Sequence, residues 1–311
     1  MREIMQIMQF TEEEIAFFLK LDSNLSSTLK ERLEFLKTRY LRETIDDDFA
    51  EGAERTNNKV GEDLAILAEG MGIHPFTMHM LFLIKCAEWL PREYARRSLD
   101  TNLAIDLLQD FRYKLRECEK WYGVKGISCF NWVHRHFLIK YFALGFFQYE
   151  RSVWNFENDY VFCNHIITKG DKFVQFHIPS AGRMTRELRL NSYKKAWDFF
   201  KPESGILNIV CTSWLLYDGN RHVYPEGSNL MDFMDDFDLI ESREDKDQVF
   251  RNSIRVFNQK YEGGDTAHLP RETTLQRNYV KWLEAGNRVG SGTGVILFDG
   301  NKIINNKRDN A

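Results

Sequence analysis

Along the first ~120 residues, apolar positions return every three or four residues, the period of one helical face. Thr11 and Glu14 have capping-box spacing ahead of the apolar IAFFLKL, and SSTLKERLEFLKTRYL predicts a second helix. The pattern is sharpest in DTNLAIDLLQDFRYKLRECEKWYG. There Leu103, Leu107, Phe111, Leu115, Cys118 and Tyr122 form one buried stripe, with Asp106, Asp110, Arg112, Arg116 and Glu119 outside it. Gly123 and Gly126 then interrupt the pattern and the period changes. A helical domain over 1–123 and a second domain over 124–311 are predicted.

From Phe130 onward the chain reads mainly as strands. LIKYFALGFFQYERSVWNFE sets Gln148, Glu150 and Ser152 alternately among aromatic and branched residues. Such a strand has one face on a core and the other in a site or in water. YVFCNHIITKGDKFVQFHI predicts a hairpin turning at Lys169–Asp171. Its last strand runs into the turn HIPSAG and then a helix, whose inner face is expected to be Leu188, Ser192, Ala196 and Phe199 or Phe200. ILNIVCTSWLLY is nearly continuous in apolar residues, as a strand buried on both faces would be. Residues 173–217 therefore form one right-handed βαβ unit with parallel strands. DFDLIES and QVFRNSIRVF have no long helix between them and are expected to pair antiparallel. LPRETTLQRNYVKWLEAGN predicts a helix capped by Thr273 and Gln276, and GVILFDGNKII a closing strand. The predicted class is α+β: a helical domain, then a mixed α/β domain whose mostly antiparallel sheet contains one parallel βαβ unit.

Composition narrows the partners. With 311 residues the chain exceeds the ~250–300 at which single cores stop growing. A net charge of −4 leaves no basic footprint for nucleic acid. The apolar stretch TMHMLFLIKCAEWL is interrupted by His79, Lys85 and Glu88 and falls short of the ~20 residues a membrane span needs. The start of the chain lacks a signal peptide's apolar core. Cysteines stand at 86, 118, 129, 163 and 211, an odd number, widely spaced and without CxxC. Reduced thiols in a cytoplasm are expected, with neither a disulfide framework nor a zinc site. His134 and His136 have the spacing of one strand face, but no carboxylate or cysteine accompanies them at metal-ligand spacing, so no metal is expected.

The HIPSAG turn is the first candidate for chemistry. Ligands of open α/β sheets bind beyond the carboxyl ends of parallel strands, where His177 lies. Ser180, Ala181 and Gly182 precede a helix whose first N–H groups favour an anion, and Arg183 adds a charge. A phosphate-bearing cofactor beside an imidazole fits this pattern; a plain strand-to-helix connection fits it too.

Several blocks in order carry a family resemblance: LGFFQYE (144–150), HIPSAG (177–182), CTSWLLY (211–217), PEGSNL (225–230), LPRETTLQR (269–277) and NRVGSGTG (287–294). Together they resemble the GNAT-like C-terminal domain of a bacterial acyltransferase family that carries a helical N-acyltransferase N-terminal domain. The resemblance implies a sheet whose two parallel central strands splay to admit the cofactor. It implies acetyl-CoA or another acyl-CoA as cosubstrate, and direct N- or O-acyl transfer to a small-molecule or protein acceptor. The family's usual Gln/Arg-x-x-Gly-x-Gly/Ala pyrophosphate loop is absent; IPSAGR stands in its place, and the similar spelling at Arg288–Gly292 reads as a turn.

For such a transfer His177 is the natural general base, with Glu150 as a second candidate or as the polar face of a strand. Tyr217 is placed to protonate the leaving thiolate or to pack. Ser213 and Asn229 are candidates to orient substrate, and either also suits a turn. Two other readings stand beside transfer. One is a non-catalytic binding module of the same fold. The other is a hydrolase forming an acyl-enzyme on Cys211 or Ser213, which requires that residue within reach of His177.

Overall fold

The computed structural model describes residues 1–45, 50–245, 250 and 252–306. The chain forms two compact units, Met1–Ala143 with Pro179–Ala181, and Leu144–Ile178 with Gly182–Ala311. The Gly123–Gly126 break stays inside the first unit. Ile127 N donates to Phe76 O at 3.0 Å, and Asn57 Nδ2 donates to Phe130 O at 3.0 Å. These bonds bind the segment after the break back onto the helices.

The first unit contains α1 (Arg2–Ile7), α2 (Glu12–Ser23), α3 (Ser27–Ile45), α4 (Ala50–Gly70), α5 (Pro75–Ala87), α6 (Leu90–Arg96), α7 (Thr101–Leu108), α8 (Asp110–Tyr122) and α9 (Phe130–Val133). The capping box before α2 is present, Glu14 N donating to Thr11 Oγ1 at 3.2 Å and Thr11 N to Glu14 Oε2 at 2.6 Å. The helix expected over 100–122 divides at Gln109. Leu107, Phe111, Leu115 and Cys118 are buried as expected, whereas Tyr122 is exposed. Asp110, expected outside the stripe, is buried with its Oδ2 3.1 Å from His136 Nε2. His134 and His136 lie on a 3-10 turn (His134–Phe137) rather than a strand. The reason is local: the turn continues α9 without a break in helical backbone angles.

The second unit is built on a sheet ordered β1 (Tyr141–Leu144), β2 (Phe147–Val153), β5 (Lys172–His177), β6 (Leu207–Ser213), β8 (Gly290–Phe298) and β7 (Asp238–Glu244). A separate hairpin pairs β3 (Tyr160–Phe162) with β4 (His165–Ile167). This hairpin turns at Cys163–Asn164, not at Lys169–Asp171, and Cys163 takes φ 51 there. The Lys169–Asp171 turn instead feeds β5, which pairs antiparallel with β2. Between β5 and β6 runs α10 (Arg186–Phe200), and β5 and β6 are parallel, so the expected βαβ unit is present.

Helix α10 buries Arg189, Ser192, Tyr193 and Ala196, while Leu188, expected inside, is 41% exposed. One face of the sheet meets this helix through Phe147, Tyr149 and Phe176; the Phe147 and Phe176 rings stack at 4.3 Å. Ser192 Oγ donates to Leu144 O at 2.6 Å and accepts from Phe147 N at 3.0 Å, pinning the turn between β1 and β2. On the opposite face Trp154, Tyr160, Ile167, Phe173, Val210, Val295 and Leu297 form a second core that includes residues of the β3–β4 hairpin.

The remaining helices are α11 (Asn229–Met234), α12 (Ser253–Phe257) and α13 (Thr274–Glu284), the last with the expected capping box at Thr273 and Gln276. QVFRNSIRVF is not one strand. Residues 248, 249 and 251 lie outside the described residues, Phe250 makes an isolated bridge to Tyr261, and Ser253–Phe257 is α12. The glycine run at 290–294 belongs to β8 and is not a turn. Among the described residues no helix is long and apolar enough to cross a membrane.

Candidate active site

Strand alternation and register decide which side chains share a face. In the β2–β5 pair Gln148 stands opposite His177 and Glu150 opposite Gln175. Phe147, Tyr149 and Phe176 take the α10 face, so Gln148, Glu150, Gln175 and His177 share the other. His177 Nε2 lies 2.8 Å from Glu150 Oε1, with side chains 20% and 23% exposed. The two residues read separately from the sequence thus form a hydrogen-bonded pair. The carboxylate accepts from Nε2–H, which leaves the lone pair of the neutral ring on Nδ1.

The pair sits at the carboxyl end of β5, beyond its ladder pairing with the parallel strand β6. Ladder pairing between β5 and β6 covers only Val174↔Ile209 and Gln175↔Val210, although β5 continues to His177 and β6 to Ser213. Strand alternation sets Thr212 on the same face of the sheet as His177. Thr212 Oγ1 is 3.0 Å from Thr293 Oγ1 on β8, and Glu241 of β7 is the register partner of Thr293. Gln148, His177, Thr212, Thr293 and Glu241, from five strands, therefore share one face of the sheet. The sequence marks His177 as a candidate base and Gln148 as a polar position of an alternating strand; period-two alternation is the signal for the others as well.

The same register puts Cys211 and Ser213 on the α10 face, beside Phe176. Cys211 is buried there, and burial pushes its thiol pKa up, away from thiolate. Ser213 Oγ accepts from Leu215 N at 3.2 Å and starts the 3-10 turn Trp214–Leu216. Neither side chain shares a face with His177, which removes the acyl-enzyme reading. Tyr217 follows that turn. A Cβ added at Gly290 would stand 2.9 Å from its Cδ2, so the ring lies against the start of β8. Burial first, then Glu244 and Asp218, raise its phenol pKa. That setting lies at the β7–β8 end, away from the Glu150–His177 pair. Asn229 opens α11, and Ser228 before it caps the helix by accepting from Met231 N at 3.2 Å.

The HIPSAG turn is longer than its spelling suggests. Helix α10 starts at Arg186, and its cap is Thr185, which accepts from Leu188 N at 3.4 Å. Ser180, Ala181 and Gly182 therefore lie ahead of the helix end rather than on it. Ser180 and Ala181 fall in the first unit, where Ser180 Oγ donates to Glu117 Oε1. Gly182 has φ +104, and a Cβ there would meet nothing within 4 Å, so backbone is presented to open space. Arg183 beside it is exposed. Among the described residues no group of three or more His, Cys, Asp or Glu could hold a metal ion.

Two family models match the chain. The GNAT-like C-terminal domain matches residues 141–296, and the N-acyltransferase N-terminal domain matches 1–138. The chain belongs to this GNAT-like family. No curated protein matches it at a significant level. Among solved structures, an acyltransferase variant in complex with octanoyl-CoA is similar at 19% identity and a TM-score of 0.73, covering 94% of this chain and 86% of that one. An acyltransferase in complex with decanoyl-CoA and teicoplanin is similar at 17% identity and a TM-score of 0.71, covering 95% and 87%. At such identities the likeness is one of fold.

Proposed function

We propose that this chain transfers an acyl group from an acyl-CoA to an amine or hydroxyl of a small-molecule acceptor, with His177 as general base and Glu150 as the carboxylate that orients it. The observation that carries this reading is the 2.8 Å His177–Glu150 contact at the carboxyl end of β5, in the parallel βαβ unit. The acyl-CoA ligands of the structural relatives support the cosubstrate, and teicoplanin on one of them supports a small-molecule acceptor. The cosubstrate's phosphates are assigned to Gly182 and Arg183 and to the first N–H groups of α10. Gly182 leaves room for them, and Arg183 supplies charge. Ser180, which bonds Glu117 within the first unit, is left out of this assignment.

The acceptor approaches on the face that carries His177 and Glu150. The base then removes a proton from the acceptor's nucleophile as it attacks the thioester. Tyr217 has no place in this scheme: its raised pKa makes it a poorer acid, and its surroundings are Glu244 and Asp218.

Calorimetric titration tests the reading, using acetyl-CoA, octanoyl-CoA and CoA with the native protein, Gly182→Trp and His177→Ala. The tryptophan variant is expected to lose binding and the alanine variant to keep it. Absence of heat and of thermal stabilisation with every acyl-CoA would remove the transferase reading and leave the binding module.

A further inference from the structure

Beneath the proposed phosphate turn lies a charged cluster that the reaction scheme leaves unused. The Arg189 side chain is fully buried on the inner face of α10. Its Nε donates to Asp236 Oδ2 at 2.6 Å, and Nη2 donates to Asp236 Oδ1 at 3.2 Å. Nη2 also reaches Asp232 Oδ2 at 2.6 Å and Asp232 O at 3.1 Å. Tyr193 Oη donates to Asp236 Oδ2 at 3.2 Å, and the guanidinium lies 6.0 Å from the Phe233 ring centre. The remaining nitrogen, Nη1, donates to the backbone carbonyl of Met184 at 3.3 Å.

Met184 stands two residues beyond Gly182 and directly before the Thr185 cap. Arg189 therefore holds the backbone between the proposed phosphate turn and the helix end. It ties that backbone to α11 and to the approach to β7. Burying an ion pair costs several kcal/mol per ion, and well-packed apolar replacements are often as stable or more so. Stability alone thus gives a weak account of this cluster. A planar, five-donor guanidinium fixed from behind by two carboxylates gives a stronger one, because it can aim a donor at a carbonyl on a fixed line.

We propose that Arg189, clamped by Asp236 and Asp232, is a positioning residue that sets the turn for the phosphates of acyl-CoA. The proposal rests on the acyl-CoA reading above. It predicts that removing the clamp weakens recognition of the nucleotide end of the cosubstrate and leaves recognition of the thioester end alone.

The test compares two probes, octanoyl-CoA and octanoyl-pantetheine, which share the thioester arm and differ in the phosphates. Binding is measured for the native protein, for Arg189→Met with Asp236→Leu, and for Asp232→Asn. The double change replaces the buried pair with apolar groups; the single change leaves that pair in place. The double variant is expected to bind octanoyl-CoA about tenfold more weakly, the equivalent of one lost hydrogen bond. Octanoyl-pantetheine binding is expected to stay within about a factor of two. Asp232→Asn is expected to shift octanoyl-CoA alone, by about threefold, and supplies the reading if the double variant does not fold. Equal losses on both probes would overturn the proposal in favour of a purely structural role, and unchanged binding of both would overturn it outright. A native protein that binds neither probe would instead remove the acyl-CoA reading itself, and this assignment with it.

Discussion

Glu150 Oε1 stands 2.8 Å from His177 Nε2, and the two residues have unequal tasks in the proposed transfer. His177 takes the proton; Glu150 holds the ring and stabilises its charge. Replacing His177 by Ala is expected to lower kcat by about 10²–10⁴-fold, the usual worth of a positioned general base. Glu150→Gln keeps an oxygen that can accept from Nε2 but loses the charge, so a smaller loss of about tenfold is expected. CoA release from octanoyl-CoA, followed across a panel of amine acceptors, measures both. A rise in KM with kcat unchanged in His177→Ala would move the imidazole from base to binding group. Each of these residues was legible separately, His177 at a strand end and Glu150 in an alternating strand. Their contact was not, because it depends on the β2–β5 register across a long stretch of chain. Alternation likewise put Cys211 and Ser213 on one face, but only tertiary structure shows that α10 covers that face. Arg189 was hidden for a related reason. A charge one residue from an expected apolar stripe reads as solvent-facing until its partners, far along the chain, are known.

Strand β8 shows what three alternating glycines do at the scale of an element. A Cβ at Gly290 would lie 2.0 Å from Arg243 O, one at Gly292 2.0 Å from Leu216 O, and one at Gly294 2.8 Å from Phe237 Cβ. The strand thus accepts backbone and an aromatic ring pressed against one face, while Thr293 and Val295 serve the other. Gly292→Ala would drive a methyl into a carbonyl held by the 3-10 turn after β6. A loss of at least ~2 kcal/mol is expected, read from the midpoint and slope of urea unfolding. A midpoint unchanged from native would mean that the turn moves aside freely. The glycine spelling was misread as a turn because close backbone approach and a turn call for the same residue. Signals confined to a few neighbours fared better. Both capping boxes formed, since each needs only four consecutive residues. The β3–β4 hairpin went astray because Cys163–Asn164 carries no glycine, while Lys169–Asp171 offers one nearby.

Across the whole molecule the five thiols report on each unit by itself. Cys86 and Cys118 are buried in the helical unit, and Cys211 in the sheet-bearing one; Cys163 is exposed and Cys129 is intermediate. Burial pushes the Cys118 thiol up to about 12 and raises Cys86 and Cys211 as well, so these three present almost no thiolate near neutral pH. With an aromatic disulfide reagent, Cys163 is expected to react at once and Cys129 more slowly. The other three should react only as their units open. Rapid reaction of four or more thiols in the native protein would contradict this burial. Acyl-CoA sharpens the same measurement. The proposed phosphate turn and the His177–Glu150 pair are assigned mainly to the unit that carries Cys211, and a ligand that binds only the folded state suppresses opening in proportion to its saturation. At a concentration of ~100 times Kd, octanoyl-CoA should slow modification of Cys211 by about a hundredfold and leave Cys163 unchanged. Equal rates at Cys211 with and without ligand, once binding is saturated, would place the acyl-CoA site on a surface whose occupancy does not hold the sheet closed.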